Sequence, residues 1–80
     1  MSANLAGLAK ELAKALVDAP DEVSVVTSGG DDFVKLELEV SEDDLGRVIG
    51  RSGRTARALR TILSAAAEKN GQRCSLDIVE

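Results

Sequence analysis

The chain has 80 residues, of which 44% are hydrophobic, and a net charge of −4. This length is near the lower limit for one self-supporting core, so we expect residues 1–80 to form a single domain. No apolar run approaches the roughly 18 residues of a membrane helix, and Met1 to Asn4 do not resemble a signal peptide, so we expect a soluble, cytoplasmic protein. The only cysteine, Cys74, has neither a second cysteine nor a histidine beside which to bind a metal, so we expect no metal and no cofactor.

The first predicted element is an amphipathic helix. Leucine and alanine recur at three- and four-residue spacing between residues 5 and 16, with lysine and glutamate on the remaining positions. Ser2 or Asn4 can cap its first turn. We expect the helix to end at Asp18-Ala19-Pro20, because proline disfavours helical geometry in the residue before it.

Two predicted strands follow the helix, over residues 22–27 and 33–40, and a Gly-Gly-Asp-Asp turn separates them. The first is short and rich in valine. The second alternates: Val34, Leu36, Leu38 and Val40 share one face, and the other face carries Phe33, Lys35, Glu37 and Glu39. We therefore expect one face of the sheet in the core and the other in solvent.

A short helix, a glycine turn and a long helix come next. Ser41 and Asp44 resemble a capping box for the short helix, with aspartate in place of the usual glutamate. In the long helix, arginines 54, 57 and 60 lie opposite a predicted buried stripe of Leu59, Ile62, Leu63 and Ala66. Ala58 and Ala65 give that helix a smooth flank, and Asn70-Gly71 predicts its left-handed end. A final strand alternates around Cys74, Leu76 and Ile78.

The turn between the two helices favours an anionic ligand. Gly50 and Gly53 leave room for a ligand backbone, and main-chain N–H groups at the start of the long helix can face an anion. Residues 45–67 contain five arginines and no acid, a charge of +5, whereas the rest of the chain holds five basic and fourteen acidic side chains, a charge of −9. A merely solvated polar face is the alternative explanation for these arginines.

The order of elements predicts an α+β fold. The short connection between the first two strands favours an antiparallel hairpin, and the two-helix crossover favours a parallel third strand. We therefore expect a three-stranded mixed sheet with three helices on one face.

Other functional classes fit the sequence less well. Without histidine, the serines and threonines have no obvious base, so we do not expect an enzyme or a small-molecule substrate. The long phosphate-binding loop of nucleotide hydrolases is absent. The acids at 42–44 suit a helix start as well as a cation. The main alternative is a protein-interaction or dimerisation module, in which the glycine turn is structural and the Ala58 and Ala65 flank is the contact surface.

The run Ile49-Gly50-Arg51-Ser52-Gly53 between two helices resembles the signature of the K homology (KH) domain. The helix and strand that precede it resemble the type II arrangement, α-β-β-α-α-β. The stand-alone size and the residues from Val48 to Ala56 resemble the small bacterial single-KH proteins of the KhpA type. The resemblance implies binding of single-stranded RNA, with the turn clamping the backbone of about four nucleotides.

The resemblance also implies site residues and partners. The RNA-binding residues would be Ile49, Gly50, Arg51, Ser52, Gly53 and Arg54, together with Arg47, Val48 and Arg57. Val48, Ile49, Ala56 and Leu45 would line the floor of the groove for bases, with a core role as the alternative. Many KH domains have a larger residue at the position of Ala56, so base contacts are expected to be shallow. The sequence has no Trp or Tyr, and its one Phe, Phe33, is far from the turn along the chain, so no aromatic stacking platform is expected.

The resemblance further implies a homodimer or a heterodimer with a KhpB-type KH protein, and no membrane partner. It also implies roles as an RNA chaperone or post-transcriptional regulator linked to cell elongation and peptidoglycan homeostasis.

Overall fold

The computed structural model describes residues 4–80. Its helices and strands are α1 Leu5–Leu16, β1 Ser24–Gly29, β2 Phe33–Glu39, α2 Leu45–Ile49, α3 Arg54–Glu68 and β3 Arg73–Ile78. The strands form one sheet in the order β1-β2-β3, in which β1 is antiparallel and β3 parallel to β2. The α+β class and the three-stranded mixed sheet with three helices are therefore confirmed.

Helix α1 begins as expected and ends earlier than expected. Asn4 caps it, because the Gly7 N–H donates to Asn4 Oδ1 at 2.9 Å; the alternative cap, Ser2, lies outside the described residues. The helix stops at Leu16, and Val17 is already extended with φ −101° and ψ 161°, so the end at Asp18-Ala19-Pro20 was predicted too late.

Strand β1 starts two residues later than the predicted 22–27. Pro20–Glu22 form a single 3₁₀ turn, and the Val23 N–H donates to the Pro20 carbonyl at 3.2 Å. Val23 is buried in the core, although its N–H belongs to the turn and not to the sheet. Proline fixes the helical φ that starts such a turn, which explains the shift.

The alternation predicted for β2 is confirmed. Leu36 and Leu38 are fully buried, whereas Phe33, Lys35 and Glu39 are exposed. Burying a leucine stabilises the fold by about 1.5–3 kcal/mol, so these two side chains fix which face of the sheet the helices cover. Strand β2 is also the central strand, so its register positions both neighbours.

Helix α3 packs on β3 through a stripe that differs from the predicted one. Its buried side chains are Ala56, Leu59, Leu63 and Ala67. Ile62, predicted to be buried, is 45% exposed, because the stripe is centred on Leu63 and Ile62 lies 100° before Leu63 on the helix.

Helix α3 has 15 residues, and no helix between residues 4 and 80 is long and apolar enough to cross a membrane.

Candidate nucleic-acid interface

The turn between α2 and α3 has a backbone shape that few residue types can adopt. Gly50 has φ 77° and ψ 171°, Ser52 has φ 58° and ψ 26°, and Gly53 has φ 73° and ψ 13°. Positive φ is the region that glycine enters freely and that other residues enter at a cost. The Gly50 N–H donates to Gly46 O at 2.9 Å and the Gly53 N–H to Gly50 O at 3.1 Å, which fix the turn to the end of α2.

The two glycines of the turn are required for different reasons. A Cβ at Gly50 would overlap the Thr55 side chain and come within 2.8 Å of the Thr55 nitrogen. A Cβ at Gly53 would meet no atom within 4 Å. Gly50 is therefore needed for packing within the protein, whereas Gly53 is needed only for its left-handed backbone and leaves open space outside the turn.

Arginine side chains surround this turn, and the structure separates them into two groups. Arg51, Arg54 and Arg57 are exposed, and no carboxylate within residues 4–80 lies at ion-pair distance from them. Arg47 is different: its Nη2 is 2.8 Å from Asp18 Oδ2, and its Nε is 3.4 Å from Asp44 Oδ1. We call Gly50 to Gly53 together with Arg54 and Arg57 the clamp surface.

No side chain caps the N-terminus of α3, where Gly53 is the N-cap residue. Main-chain N–H groups at such a helix start carry a partial positive charge. These N–H groups lie next to Arg51 and Arg54 in the chain. The partial charge of the helix dipole and the charges of the two side chains therefore add at the clamp surface. This surface suits an anion that approaches along the backbone.

Asp44 holds the base of α2 in place. Its side chain is buried, and its two oxygens accept the Asp18 N–H at 3.1 Å and the Ala19 N–H at 3.0 Å. The predicted capping box with Ser41 is therefore wrong, because the carboxylate points to the segment after α1. No local pattern predicts this contact, because its partners are 26 and 25 residues away along the chain.

The apolar residues expected to touch bases differ in how far a ligand can reach them. Val48 is 0% exposed and Ala56 is 4% exposed, whereas Ile49 and Leu45 are half-buried. The burial of Val48 and Ala56 agrees with the core role, which was the alternative for these two residues. Ile49 and Leu45 remain candidates for the floor of a groove.

A groove runs between α3 and the outer edge of β3. One cavity of about 390 Å³ is lined by Arg60, Leu63, Ser64, Cys74, Ser75, Leu76 and Asp77. Ser64 also lines two neighbouring cavities, one with Arg57 and Arg60 and one with Phe33 and Cys74. The groove therefore reaches the clamp surface at Arg57 and extends to Phe33 at its other end, so Phe33 is far from the turn in space as well as along the chain.

The groove includes residues that the sequence did not single out as a site, such as Arg60 and Ser64. The predicted topology could have indicated both residues, because a parallel β3 that packs against α3 must bring the Arg60 and Ser64 side chains to one edge of the sheet.

Burial raises the pKa of the Cys74 thiol, which disfavours a nucleophilic thiolate. Within residues 4–80 no cluster of three metal-ligating side chains occurs. The arrangement offers cations and hydrogen-bond donors for binding, beside two acids, Asp77 and Glu68, that also line these cavities.

Comparisons with known proteins agree with this architecture. Residues 6–78 match the family described as KhpA/KhpB, KH domain. The chain is 46% identical over 72 residues to the RNA-binding protein KhpA of Clostridium acetobutylicum, covering 90% of this chain and 96% of that protein. It is 49% identical over 69 residues to the RNA-binding protein KhpA of Treponema pallidum, covering 86% of each chain. The Aquifex aeolicus protein of that name is 52% identical over 68 residues, which cover 85% of this chain and 86% of that one.

A comparison with solved structures found no significant match. These relatives are named as RNA-binding proteins and not as enzymes. Family match, element order and the Ile49-Gly50-Arg51-Ser52-Gly53 turn agree across nearly the whole chain, and this protein belongs to the KhpA/KhpB KH-domain family with a type II KH fold.

Proposed function

We propose that this chain binds single-stranded RNA, with the clamp surface on the phosphate backbone of about four nucleotides and the bases in the groove between α3 and β3. The observation that carries the proposal is that Arg51, Arg54 and Arg57 are exposed without a carboxylate partner in residues 4–80. Relatives named RNA-binding protein KhpA support the choice of RNA as the polyanion.

The roles within the site follow from burial and pairing. Arg51, Arg54 and Arg57 supply charge, while Gly50, Ser52 and Gly53 bring the ligand backbone close. Ile49 forms the apolar floor beside the turn. In this proposal Val48 and Arg47 support the clamp from beneath, because Val48 is fully buried and Arg47 is held by two carboxylates.

The decisive experiment replaces Arg51 and Ser52 together by aspartate. Both side chains are exposed, so the fold should remain, while the new carboxylates should repel phosphates and abolish binding to a single-stranded RNA. A matched control is Lys10→Asp with Ala15→Asp on exposed positions of α1, which changes the net charge by the same −3. Equal loss of affinity in both double variants would attribute binding to total charge and reject the clamp.

We also propose that the protein pairs through α3, with a second copy or with a KhpB-type KH protein. Ile62 is 45% exposed, and its exposed neighbours on that helix include Ala58 and Ala65, which form a smooth apolar flank. A lone site for about four nucleotides gains useful affinity when a second site is held close to it. The family description names KhpA and KhpB together, which supports such a partner.

Sedimentation velocity tests the pairing. The wild-type chain should sediment as a dimer at high concentration, and Ile62→Asp should sediment as a monomer, while Lys10→Asp should remain a dimer. A monomeric wild type that also fails to capture a KhpB-type protein would reject this surface. A wild-type chain that pairs but does not bind RNA would instead favour the protein-interaction module.

The proposed setting is the cytoplasm, where residues 1–80 would act as one KH domain in an RNA chaperone or post-transcriptional regulator. The link to cell elongation and peptidoglycan homeostasis is the part of the proposal that rests on family resemblance alone. Crosslinking and sequencing of RNA in cells, with the Arg51 and Ser52 double variant as the control, would identify the transcripts. A wild-type profile identical to that of the double variant would count against any RNA role.

A further inference from the structure

Strand β1 is an edge of the sheet that lacks the usual protection against pairing with another strand. Residues 24–29 contain no charged side chain and no proline, and their pairing with β2 is regular, without a bulge; these are the features by which proteins usually protect an edge. Val26 is 59% exposed. Thr27 lies opposite the buried Leu36, on the face that α1 covers, and is nevertheless exposed, so α1 does not extend over this edge.

The opposite edge of the sheet, formed by β3, is different. This strand carries the charged residues Arg73 and Asp77. The Arg60 Nε donates to the Leu76 carbonyl oxygen at 3.0 Å, so a side chain of α3 already uses a backbone group of β3. The molecule therefore protects one edge of its sheet and leaves the other open.

The free hydrogen-bonding groups of the β1 edge belong to two residues. The Gly30 N–H donates to the Phe33 carbonyl oxygen at 3.0 Å, so this pair closes the hairpin between β1 and β2. Bonded pairs alternate along an antiparallel ladder, so the even-numbered residues of β1 bond to β2. The N–H and C=O groups of Val25 and Thr27 point instead to the open side, where no group of residues 4–80 bonds to them.

We propose that β1 pairs antiparallel with β1 of a second copy of this chain, with Val26 of each copy at the twofold axis. The stretch from Ser24 to Ser28 reads Ser-Val-Val-Thr-Ser, which is nearly the same in both directions. In this register valine lies opposite valine at the axis, Val25 lies opposite Thr27, and serine lies opposite serine. A twofold interface requires such self-complementarity, and pairs of β-branched residues across strands stabilise a sheet.

The same register also uses the free backbone groups. Val25 and Thr27 of one copy face Thr27 and Val25 of the other, and each of these two pairs exchanges two N–H···O bonds, so the ladder has four. A register centred closer to either end of β1 would need Val23 or Gly29. The Val23 N–H already donates to the Pro20 carbonyl, and Gly29 has a φ of 102°, which departs from strand geometry.

The charged side chains nearest to this edge lie on β2. Glu39 stands beside Ser24 and Lys35 beside Ser28, so the twofold axis places Glu39 of one copy in one row with Lys35 of the other. Three strand spacings separate these side chains, about 14 Å, and the same distance separates the two copies of Glu37. Lys35 is also paired with Asp77 of its own copy at 3.8 Å. At this separation exposed charges are largely screened, so they do not oppose the pairing.

This contact is separate from the pairing through α3 and does not rest on RNA binding. Helix α3 packs on β3, at the other edge of the sheet, so both contacts can form in one assembly. A ladder of this length is short, and a chain with Ile62→Asp should therefore still sediment as a monomer. A covalent trap captures such a weak pair.

Disulfide trapping tests the register. Cys74→Ser removes the native thiol, and Val26→Cys then places two thiols across the axis, where the Cα atoms of such a pair are about 4.5 Å apart, a distance that a disulfide can span. Oxidised glutathione should convert this variant to a linked dimer on a non-reducing gel. Ser28→Cys is the matched control on the same face and should stay monomeric, because Ser28 lies opposite Ser24. An isotope-labelled Ser24→Cys chain mixed with Ser28→Cys should link mainly as mixed dimers, measured by mass spectrometry.

Thr27→Pro tests the backbone bonds. The Thr27 N–H points away from β2, and proline is tolerated at such a position of an edge strand, so circular dichroism should show an intact fold. Added to Val26→Cys, this change should abolish the linked dimer, and a folded variant that keeps the link would overturn the inference. Equal trapping of Val26→Cys and Ser28→Cys, or no linked dimer from Val26→Cys, would overturn it whether or not the proline variant folds.

Discussion

Replacing Asp44 by alanine should destabilise the fold far more than its place in a short surface turn suggests. The side chain is 2% exposed, and its oxygens accept the N–H groups of Asp18 and Ala19 at 3.1 and 3.0 Å. Its third contact is Arg47 Nε at 3.4 Å. The variant removes the only carboxylate that joins these N–H groups to the start of α2 within residues 4–80.

The size of the effect follows from these contacts. Hydrogen bonds to a charged group contribute about 1.5–3 kcal/mol each. Asp18 is exposed and Ala19 is half-buried, so water can reach part of the vacated site, and we take the lower half of that range. The expected loss is therefore about 3–4.5 kcal/mol of the free energy of unfolding, against a total of roughly 4–12 kcal/mol for a chain of this length.

Urea denaturation followed by circular dichroism measures this loss, since the chain has no Trp or Tyr for fluorescence. Two matched variants define the comparison. Asp43→Ala removes an exposed neighbouring acid and should change the free energy of unfolding little. Arg47→Ala breaks the ion pair with Asp18. Because the Arg47 side chain is 53% exposed, this should lower the free energy of unfolding by about 1 kcal/mol or less. If Asp44→Ala cost no more than Arg47→Ala, the backbone contacts would not hold α2.

Two further predictions concern the clamp surface. With three free arginines, Arg51, Arg54 and Arg57, the slope of log K against log salt for single-stranded RNA should be about −2.1, and Arg54→Ala should reduce its magnitude by about 0.7; anisotropy titrations check this, and a slope near zero would contradict it. Gly53→Ala should cost about 1–2 kcal/mol for its left-handed backbone, while Gly50→Ala should cost more because of the overlap with Thr55. Equal losses in urea denaturation would show that the overlap relaxes.

The strands and helices with regular patterns were predictable from local sequence. The alternation in β2 gave the buried face correctly, since Leu36 and Leu38 are fully buried. The position of Ile62 was not predictable in this way, because a spacing of three from Leu59 places it at the border of the stripe, and the tilt of α3 on the sheet decides which border residue is covered. The exposed Ile62 is consequently a result of packing rather than of periodicity.

Contacts between distant parts of the chain explain the remaining differences. The family resemblance implies an RNA-binding role for Arg47, and the structure adds its ion pair with Asp18, which comes from the segment after α1, 29 positions earlier in the numbering. The Arg60 contact to Leu76 likewise spans 16 residues and depends on how α3 lies against β3. Composition shows that arginines cluster, and only the tertiary structure shows which of them are neutralised.

The acidic net charge and the proposed binding of a polyanion are compatible because the charges are separated along the chain. Residues 45–67 contain no acid, so no carboxylate lies three or four positions from Arg57 within α3 and no local ion pair can form there. Arg47 is paired because Asp44 lies three residues before it, just outside that span. On the sheet, Asp77 pairs with Lys35 at 3.8 Å, and it also lines the groove beside Arg60. The sequence therefore keeps acids of the same helix away from the clamp arginines, while the tertiary structure decides whether acids of other segments reach them.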